Sequence, residues 1–521
     1  MIGERQAART LVARWLVATL VLVVAATVAG PASGQTDPGF KTTEDAMLTA
    51  VAPDVSVDPI ITVGETLTGG YLFESIPDGI SVRNLSGERV SAFVNHETSR
   101  VPFPFDPVTG VGESDFTNAM VSRLTLNTST AGVLAGEYVI PSEANYQRFC
   151  SNFLATGVHG FERPLLFTNE EATDFVNRTG EAWPPGPNAE QAGVVVAYDL
   201  QRDAYRTIYG MGRHNHENSV ALPGYGHPVV LSGDDTFSAP SSQLYMYLAA
   251  SARAVWQDTG TLWAFKSDKP AINDYGDLAH SASVSGRFIR VPRSVAVGNQ
   301  TALETWSNEN GVFQFIRLED IAYDRENPNV VYLADTGEPR ALPGPGEARM
   351  TRGPSGTQGP FPNGRIFKLV VDDDNPRRVR SLSILIDGDV IGDTGSGLVE
   401  FIHQPDNLET TRRSLLIQED PGSHNQYAPD DAAGTTARIW RYHFETGQLT
   451  VIARVDQSAD PAANQGNWES SGIVKAPAFG PDAFLVDVQA HTLHIDREDN
   501  PGGVSFKREG GQLLLLRDPN A

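Results

Sequence analysis

The sequence predicts an all-β chain that folds as a six-bladed β-propeller, and three observations favour this fold. Short segments in which apolar and polar residues alternate recur along the chain, which is typical of antiparallel strands. Long segments with helical periodicity are scarce. A short acidic tag recurs six times next to an apolar strand, as expected if each blade carries one tag.

Five segments show the strand pattern most clearly, and polar residues that can close a hairpin follow two of them. These segments are 193–200 (GVVVAYDL), 243–248 (QLYMYL), 364–371 (GRIFKLVV), 436–444 (TARIWRYHF) and 510–516 (GGQLLLL). A closed ring has no free sheet edges. We therefore expect an early strand near residues 61–73 to pair with the last strand, 513–516.

The acidic tags are irregularly spaced, which a propeller tolerates because insertions fall in the loops at the ends of its blades. One end of every blade approaches the common axis, so tags that are far apart in sequence can converge there. The tag acids are Glu97, Glu170 or Glu171, Glu217, Glu319 with Asp320, Asp406 and Glu469. An alternative is that the acids cap turns by accepting hydrogen bonds from backbone N–H groups.

The N-terminus has the pattern of a secretory signal peptide over residues 1–34. Arg5, Arg9 and Arg14 precede an apolar stretch of 15–28, and small residues at 32–34 offer a cleavage site. No other segment approaches the length of a membrane span. We expect residues 35–55 to form a loosely ordered arm and residues 56–521 to form a single propeller domain. The mature protein is then secreted, periplasmic or extracellular, and monomeric.

The charge balance argues against a nucleic-acid partner. The chain of 521 residues has 40 Lys and Arg against 64 Asp and Glu, a net charge of −24. The signal peptide removes three Arg and one Glu, which leaves −26 on the mature chain. We expect a small-molecule ligand rather than a nucleic acid or a membrane.

The single cysteine, Cys150, cannot form an internal disulfide, so stability must come from packing or from metals. Convergent carboxylates repel one another unless a cation neutralises them, and hard oxygen ligands suit calcium or iron. A thiolate among these carboxylates would favour iron at one position. The alternative is a buried, apolar Cys150 without a ligand role.

Arg317 and Glu319 are two residues apart, so on a strand their side chains lie on the same face. An arginine offers a planar fork to a phosphate or carboxylate group, although a simple Arg–Glu ion pair is equally compatible with the spacing. His96 and His216 precede glutamates, and for both a packing role is favoured over a metal-ligand role. Sequence motifs of phosphate-binding loops, serine-hydrolase elbows and zinc helices are absent.

An ordered series of motifs resembles the PhoX-type alkaline phosphatases and their uncharacterised relatives, and it spans nearly the whole mature chain. The series is VNHE (94–97), RFCS (148–151), TNEEA (168–172), HNHEN (214–218), SGDD (232–235), IRLED (316–320), LLIQEDPG (415–422), ARIWRY (437–442), WESSG (468–472), VDVQAH (486–491) and GGQLLLL (510–516). The resemblance implies a six-bladed propeller with iron and calcium on its axis that hydrolyses phosphate monoesters.

Carried over to this chain, the resemblance implies that Cys150 is a thiolate ligand to iron. It implies that Glu171, Glu217 and Glu319 are carboxylate ligands to iron or calcium, with the choice between Glu170 and Glu171 open, and that Arg317 holds the phosphate oxygens. The chain departs from the family pattern at residues 151–154 and at Leu318, where the family has proline.

Two other functions are compatible with the same residues. The first is a calcium-dependent propeller hydrolase such as a lactonase or a phytase-like enzyme, which would use no iron and would not depend on Cys150. The second is a non-catalytic, calcium-stabilised propeller that binds an extracellular partner.

Overall fold

The strands of this protein are short and mostly antiparallel, as the alternating pattern predicts. The computed structural model describes residues 37–103, 109–178, 189–236, 242–337, 361, 363–391, 402–420, 435–463 and 466–521. Within these ranges there are 29 strands and three short α-helices. The all-β prediction is confirmed, whereas the predicted signal peptide, 1–34, lies outside the described residues.

The strands, numbered along the chain, are β1 Leu48–Ala50, β2 Ser56–Thr62, β3 Pro77–Asn84, β4 Arg89–His96, β5 Gly112–Asp115, β6 Met120–Asn127, β7 Val133–Ile140, β8 Phe149–Ala155, β9 Leu165–Glu170, β10 Phe175–Val176, β11 Glu190–Gln191, β12 Val195–Asp199, β13 Ala204–Ile208, β14 His216–Ala221, β15 Val229–Asp234, β16 Tyr245–Leu248, β17 Thr261–Ser267, β18 Ser283–Arg290, β19 Leu318–Tyr323, β20 Val330–Asp335, β21 Arg365–Val371, β22 Arg378–Asp387, β23 Pro405–Thr410, β24 Ser414–Glu419, β25 Arg438–His443, β26 Leu449–Val455, β27 Glu469–Lys475, β28 Ala483–Glu498 and β29 Val504–Arg517. The α-helices are α1 Ala252–Trp256, α2 Arg293–Ala296 and α3 Gln300–Asn310. Short 3₁₀ helices span Ser142–Ala144, Gly157–His159, Tyr209–Met211, Tyr275–Asp277, Gly388–Ile391 and Pro477–Phe479.

The strands assemble into sheets in an order that largely follows the chain. The sheet orders are β3-β4-β6-β7, β8-β9-β12-β13, β23-β24-β25-β26-β1 and β27-β28-β29-β2. A nine-stranded sheet, β14-β15-β16-β17-β18-β22-β21-β20-β19, consists of two successive groups that join edge to edge where β18 pairs with β22. β5 adds in parallel to β29, and β10 and β11 form a small ribbon.

The first strands of these groups lie together at the centre of the protein. Each packs against the first strand of the next group, in the order β3, β8, β14, β19, β23, β27, and β27 packs against β3 again. Every residue of β14, β19 and β23 is buried. Apolar side chains between neighbouring sheets form the core, the largest cluster lying around Phe265, Phe315 and Phe367. The arrangement is that of a propeller, with the sheets set around a ring of central strands.

The five strands expected from the alternating pattern are present as β12, β16, β21, β25 and the second half of β29. The early strand also pairs with the last one, since Val57 lies opposite Leu516 and Ile61 opposite Leu513. This early strand is β2, which ends at Thr62 and so begins and ends earlier than the expected 61–73.

Residues 37–55 do not form the loose arm that the sequence predicts. β1 adds to the edge of β26, and the side chains of Met47 and Leu48 are buried against Val455 and its neighbours. The sequence pattern missed this attachment because a three-residue strand is too short to show periodicity. Among the described residues, no helix has the length and apolar character needed to cross a membrane.

Candidate functional site

All six acidic tags converge where the central strands meet. Candidate donor atoms form four overlapping groups, and within each group the atoms lie within 4.8 Å of one another. The groups are Asp78, Glu97 and Cys150; Cys150, Glu171 and Glu217; Glu217, Glu319 and Asp406; and Asp406, Asp420 and Glu469. Successive groups share a residue, so the donors make one continuous chain. We call this set of residues the acid cluster.

Each central strand has a β-bulge, and five of the donors lie inside these bulges. The pairing register shifts at the same place in all six strands, between the residue pairs 77/80, 149/152, 216/219, 318/321, 405/408 and 470/473. The first residue inside each bulge is Asp78, Cys150, Glu217, Glu319, Asp406 or Ser471. A bulge re-aims a side chain that a regular strand would direct along a sheet face. Five of the six bulges therefore present a donor to the cluster.

Cys150 lies at the junction of the first two donor groups and is buried. Burial raises the pKa of the thiol, and the neighbouring carboxylates Asp78, Glu217, Glu171 and Glu97 raise it further. A negative thiolate here therefore requires a nearby cation.

The carboxylates of the cluster lie close to one another, and all but the half-buried Glu97 and Asp420 are buried, which opposes their ionisation. Burial and mutual repulsion raise the pKa of Glu171, Glu217 and Glu319, and they raise the pKa of Glu97 to about 8. The same holds for the pKa of Asp406 and of Glu469. A bound cation would reverse this by stabilising the charged forms.

The donor set fits metal ions. Asp78 Oδ2 and Asp406 Oδ1 are buried and make no hydrogen bond to any described residue, as expected of atoms that serve as ligands. Carboxylate oxygens in this number suit calcium, and the single sulfur of Cys150 favours iron at its end of the cluster.

Arg317 lies beside the cluster and is buried. Its Nε and Nη2 donate to Asp235 Oδ1 and Oδ2 at 2.9 and 2.7 Å, and Nη2 is 3.2 Å from Glu319 Oε1. The expected proximity of Arg317 and Glu319 is therefore present. Asp235 fixes the plane of the guanidinium group through a two-point contact.

The structure separates Glu170 from Glu171. Glu170 is buried outside the cluster, where it accepts hydrogen bonds from Arg178 at 2.8 and 2.7 Å and from the N–H groups of Gln147 and Gly193. Glu171, the next residue, lies with Cys150 in the second donor group.

His96 and His216 do not contribute to the cluster. The ring of His96 contacts Ser122 Oγ at 2.6 Å, and the ring of His216 contacts Ser232 Oγ at 2.8 Å. Burial lowers the pKa of His96 to about 4 and that of His216 to about 3, so both rings are neutral packing groups.

Three residues at or beside the acid cluster are not among the ligands predicted from the sequence, namely Asp78, Asp420 and His491. Asp78 lies in Pro-Asp-Gly, a combination typical of turns, and no tag surrounds it. His491 Nδ1 contacts Glu509 Oε2 at 3.1 Å, and its Nε2 is 3.6 Å from Glu469 Oε1. The only sequence signal for Asp78 is the apolar strand that follows it.

Comparisons with known proteins give one informative likeness. No family model matches the chain, and no curated protein matches it. Among solved structures, the chain is similar to Pseudomonas fluorescens PhoX in complex with vanadate, a transition-state analogue, with a TM-score of 0.64 and 15% identity over 92% of this chain and 98% of that chain. This likeness shows that the two chains share a fold.

Two further structures resemble the chain more weakly. An α-L-arabinanase from Penicillium chrysogenum has a TM-score of 0.39 and 8% identity over 88% of this chain and 98% of that chain. The NanB sialidase of Streptococcus pneumoniae has a TM-score of 0.40 and 7% identity over 86% of this chain and 69% of that chain.

Proposed function

We propose that this protein is a secreted, metal-dependent phosphatase that hydrolyses phosphate monoesters at an iron and calcium site on the axis of a six-bladed propeller. The observation that carries the proposal is the continuous chain of buried donors that includes one thiol, with Arg317 beside it. The fold shared with PhoX, whose structure holds a vanadate transition-state analogue, supports the same conclusion.

The six central strands support the count of blades. Each of β3, β8, β14, β19, β23 and β27 begins a group of at least four strands, and the strands pack in a closed cycle. β2 completes the last group by pairing with β29, so the N-terminal part of the domain closes the ring.

Cys150, Glu171 and Glu217 would hold iron, and Glu319 with Glu217 and Asp406 would hold calcium. Metal ions in such a site polarise the phosphate group and offset the charge that develops during hydrolysis. Metals are needed all the more because a mature chain of charge −26 repels a phosphate anion.

Arg317 would bind phosphate oxygens through its guanidinium N–H groups. Asp235 and Glu319 hold the guanidinium in place before the substrate arrives, so little reorganisation is required on binding. A fixed cation in a buried site stabilises the additional negative charge of the transition state more strongly than it would in water.

A substrate panel separates this function from its alternatives. We expect the mature protein to hydrolyse p-nitrophenyl phosphate and to contain both iron and calcium. Turnover of a lactone with calcium alone would indicate the lactonase-type alternative. Calcium without turnover of any ester would indicate a binding propeller.

A pair of adjacent acids provides the matched variants for the same assay. Glu171→Gln removes a proposed ligand, so we expect less iron per chain and at least about tenfold lower turnover. Glu170→Gln weakens the contact with Arg178 and should lower the melting temperature while metal content is kept. Equal metal loss in both variants would contradict the assignment of Glu171.

A further inference from the structure

The six bulges contain a second ring of residues directly behind the donors. The second residue inside each bulge is Gly79, Ser151, Asn218, Asp320, Asn407 or Gly472. All six line an axial cavity of about 250 Å³ on the side of the central strands away from the acid cluster, whereas none of the first bulge residues lines it. The bulges thus form a wall between the acid cluster and this cavity.

One bulge differs from the others, because its first residue is Ser471 rather than a donor. The single hydroxyl proton of Ser471 is shared between two acceptors in a three-centre hydrogen bond, with Asp78 Oδ1 at 2.8 Å and Asn407 Oδ1 at 3.3 Å. The serine therefore connects a cluster acid to the second ring.

The same asparagine connects to another cluster acid, Glu217, which shares the second donor group with Cys150. Asn407 Nδ2 donates to Ser151 Oγ at 3.2 Å, and the Ser151 hydroxyl donates to Glu217 Oε1 at 2.9 Å. Ser151, Asn407 and Ser471 are all buried. These contacts, which we call the serine–asparagine bridge, therefore join Asp78 to Glu217 through Ser471, Asn407 and Ser151.

We propose that the serine–asparagine bridge, formed by Ser151, Asn407 and Ser471, positions Asp78 and Glu217 beside Cys150 for metal binding. This inference rests on the proposed function, since it assigns supporting residues to the proposed metal site. Asp78 and Glu217 each share a donor group with Cys150, so the distance between the two carboxylates sets the space available to ions bound at the thiol.

The bridge suits this role because none of its three side chains ionises. Each serine hydroxyl donates to a carboxylate oxygen and so stabilises the charged, metal-binding form of that acid. Hydrogen bonds to ligands commonly affect metal affinity by 10- to 100-fold.

Two neighbouring serines on β27 give a matched test in the full mature protein. Ser470 is as buried as Ser471, yet its hydroxyl makes no hydrogen bond to any described residue. We would measure iron and calcium per chain by mass spectrometry after dialysis against graded chelator. We expect Ser471→Ala to release metal at roughly 10- to 100-fold lower chelator concentration than wild type, and Ser470→Ala to match wild type.

A second pair tests the centre of the bridge. Asn407→Ala removes the contacts of the amide with both Ser471 and Ser151, whereas Asn218→Ala removes a buried amide at the equivalent bulge position that bonds to Asp320 instead. We expect metal retention to fall in Asn407→Ala only, with kcat reduced more than KM is raised, and melting temperatures of the metal-free proteins to fall in both. Ser151→Ala, which deletes a single oxygen, serves if Asn407→Ala does not fold.

Three outcomes would be decisive. If the bridge variants and their controls retain metal equally, the bridge is only structural and the inference is wrong, while the proposed function stands. If wild type holds metal without hydrolysing phosphate esters, metal retention still tests the bridge and only the phosphatase assignment fails. If wild type holds no metal, both proposals are overturned.

Discussion

At the scale of single residues, the proposed iron site requires Cys150 as a metal ligand. Burial beside carboxylates raises the pKa of its thiol, so the thiolate forms only with a cation at hand. Cys150→Ser exchanges one sulfur for a smaller, harder oxygen. We expect iron content and phosphatase turnover to fall at least about tenfold. Mass spectrometry and p-nitrophenyl phosphate turnover on one sample would check this, and unchanged values would contradict it.

Arg317 gives a second prediction at this scale. Arg317→Lys keeps the positive charge but loses the planar fork, so we expect the phosphate ester to lose about 1.5–3 kcal/mol of contact, a roughly 10- to 100-fold rise in KM. Arg365 is the control, since it is buried and bonds Asp387 at 2.9 Å outside the acid cluster. Arg365→Lys should lower the melting temperature without changing KM. Equal KM values for the two variants would argue against a phosphate contact at Arg317.

Some acids of the site can be predicted from the sequence and others cannot. The convergence of the tag acids could be predicted because each short polar, charged tag lies next to an apolar strand whose pattern indicates burial. Asp78 could not, since Pro-Asp-Gly indicates a turn. The segment Asp387-Gly388-Asp389 is typical of a solvated turn, yet Asp387 is buried against Arg365 and Asp389 accepts a hydrogen bond from Tyr275. The local sequence does not show which side chain of a distant strand will contact a given acid.

At the scale of elements, the repeated bulge is the feature that makes the site. A regular strand alternates its side chains between two faces, so consecutive residues such as Glu217 and Asn218 would diverge to opposite sheets. The bulge instead directs one to the acid cluster and its successor to the cavity wall. Bulges leave no periodic signal in an apolar strand of six to eight residues. For this reason the sequence predicts the strands but not this shared irregularity.

The short 3₁₀ helix Gly157–His159 carries a pH-dependent contact. The Thr156 N–H donates to His159 Nδ1 at 2.9 Å, and His159 Nε2 lies 3.1 Å from Tyr323 Oη. Burial and the nearby Arg325 lower the pKa of His159 from 6.5 to about 4. Between these values the unfolded chain binds a proton that the folded chain does not, so stability is complete above pH 6.5 and is lost as pH falls towards 4.

We expect this group to cost up to about 3 kcal/mol of unfolding free energy between pH 6.5 and 4. His159→Gln has no titrating ring and should show a shallower loss of stability on acidification. Denaturant unfolding of both proteins at a series of pH values measures the difference. Parallel curves would show that His159 does not carry the contact.

At the scale of the whole molecule, the closure between β2 and β29 could be anticipated from the benefit of removing free sheet edges. The edge pairing of β18 with β22, which merges two groups into one sheet, could not, because nothing in either strand's pattern specifies a partner beyond its own hairpin. The position of β1 could not be predicted for a similar reason, because its three residues form a strand only by pairing with β26.

The net charge predicts a salt effect on catalysis. The chain carries −24, or −26 if the predicted signal peptide is removed, so its field repels a phosphate ester at low ionic strength. We expect kcat/KM for p-nitrophenyl phosphate to rise as sodium chloride increases from about 10 to about 150 mM, where the screening length shortens to about 8 Å. A singly charged phosphodiester analogue should show a smaller rise. A fall with salt would indicate that local positive charge dominates the approach of substrate.

Metal content is the most direct test of a metal-dependent phosphatase. We would measure it in mature protein purified without chelators, together with turnover of p-nitrophenyl phosphate before and after chelation. We expect iron and calcium in the untreated protein, loss of turnover and a lower melting temperature on chelation, and recovery when both metals are returned. The metal-dependent site would be contradicted if the purified protein contained no metal and if chelator changed neither its turnover nor its melting temperature.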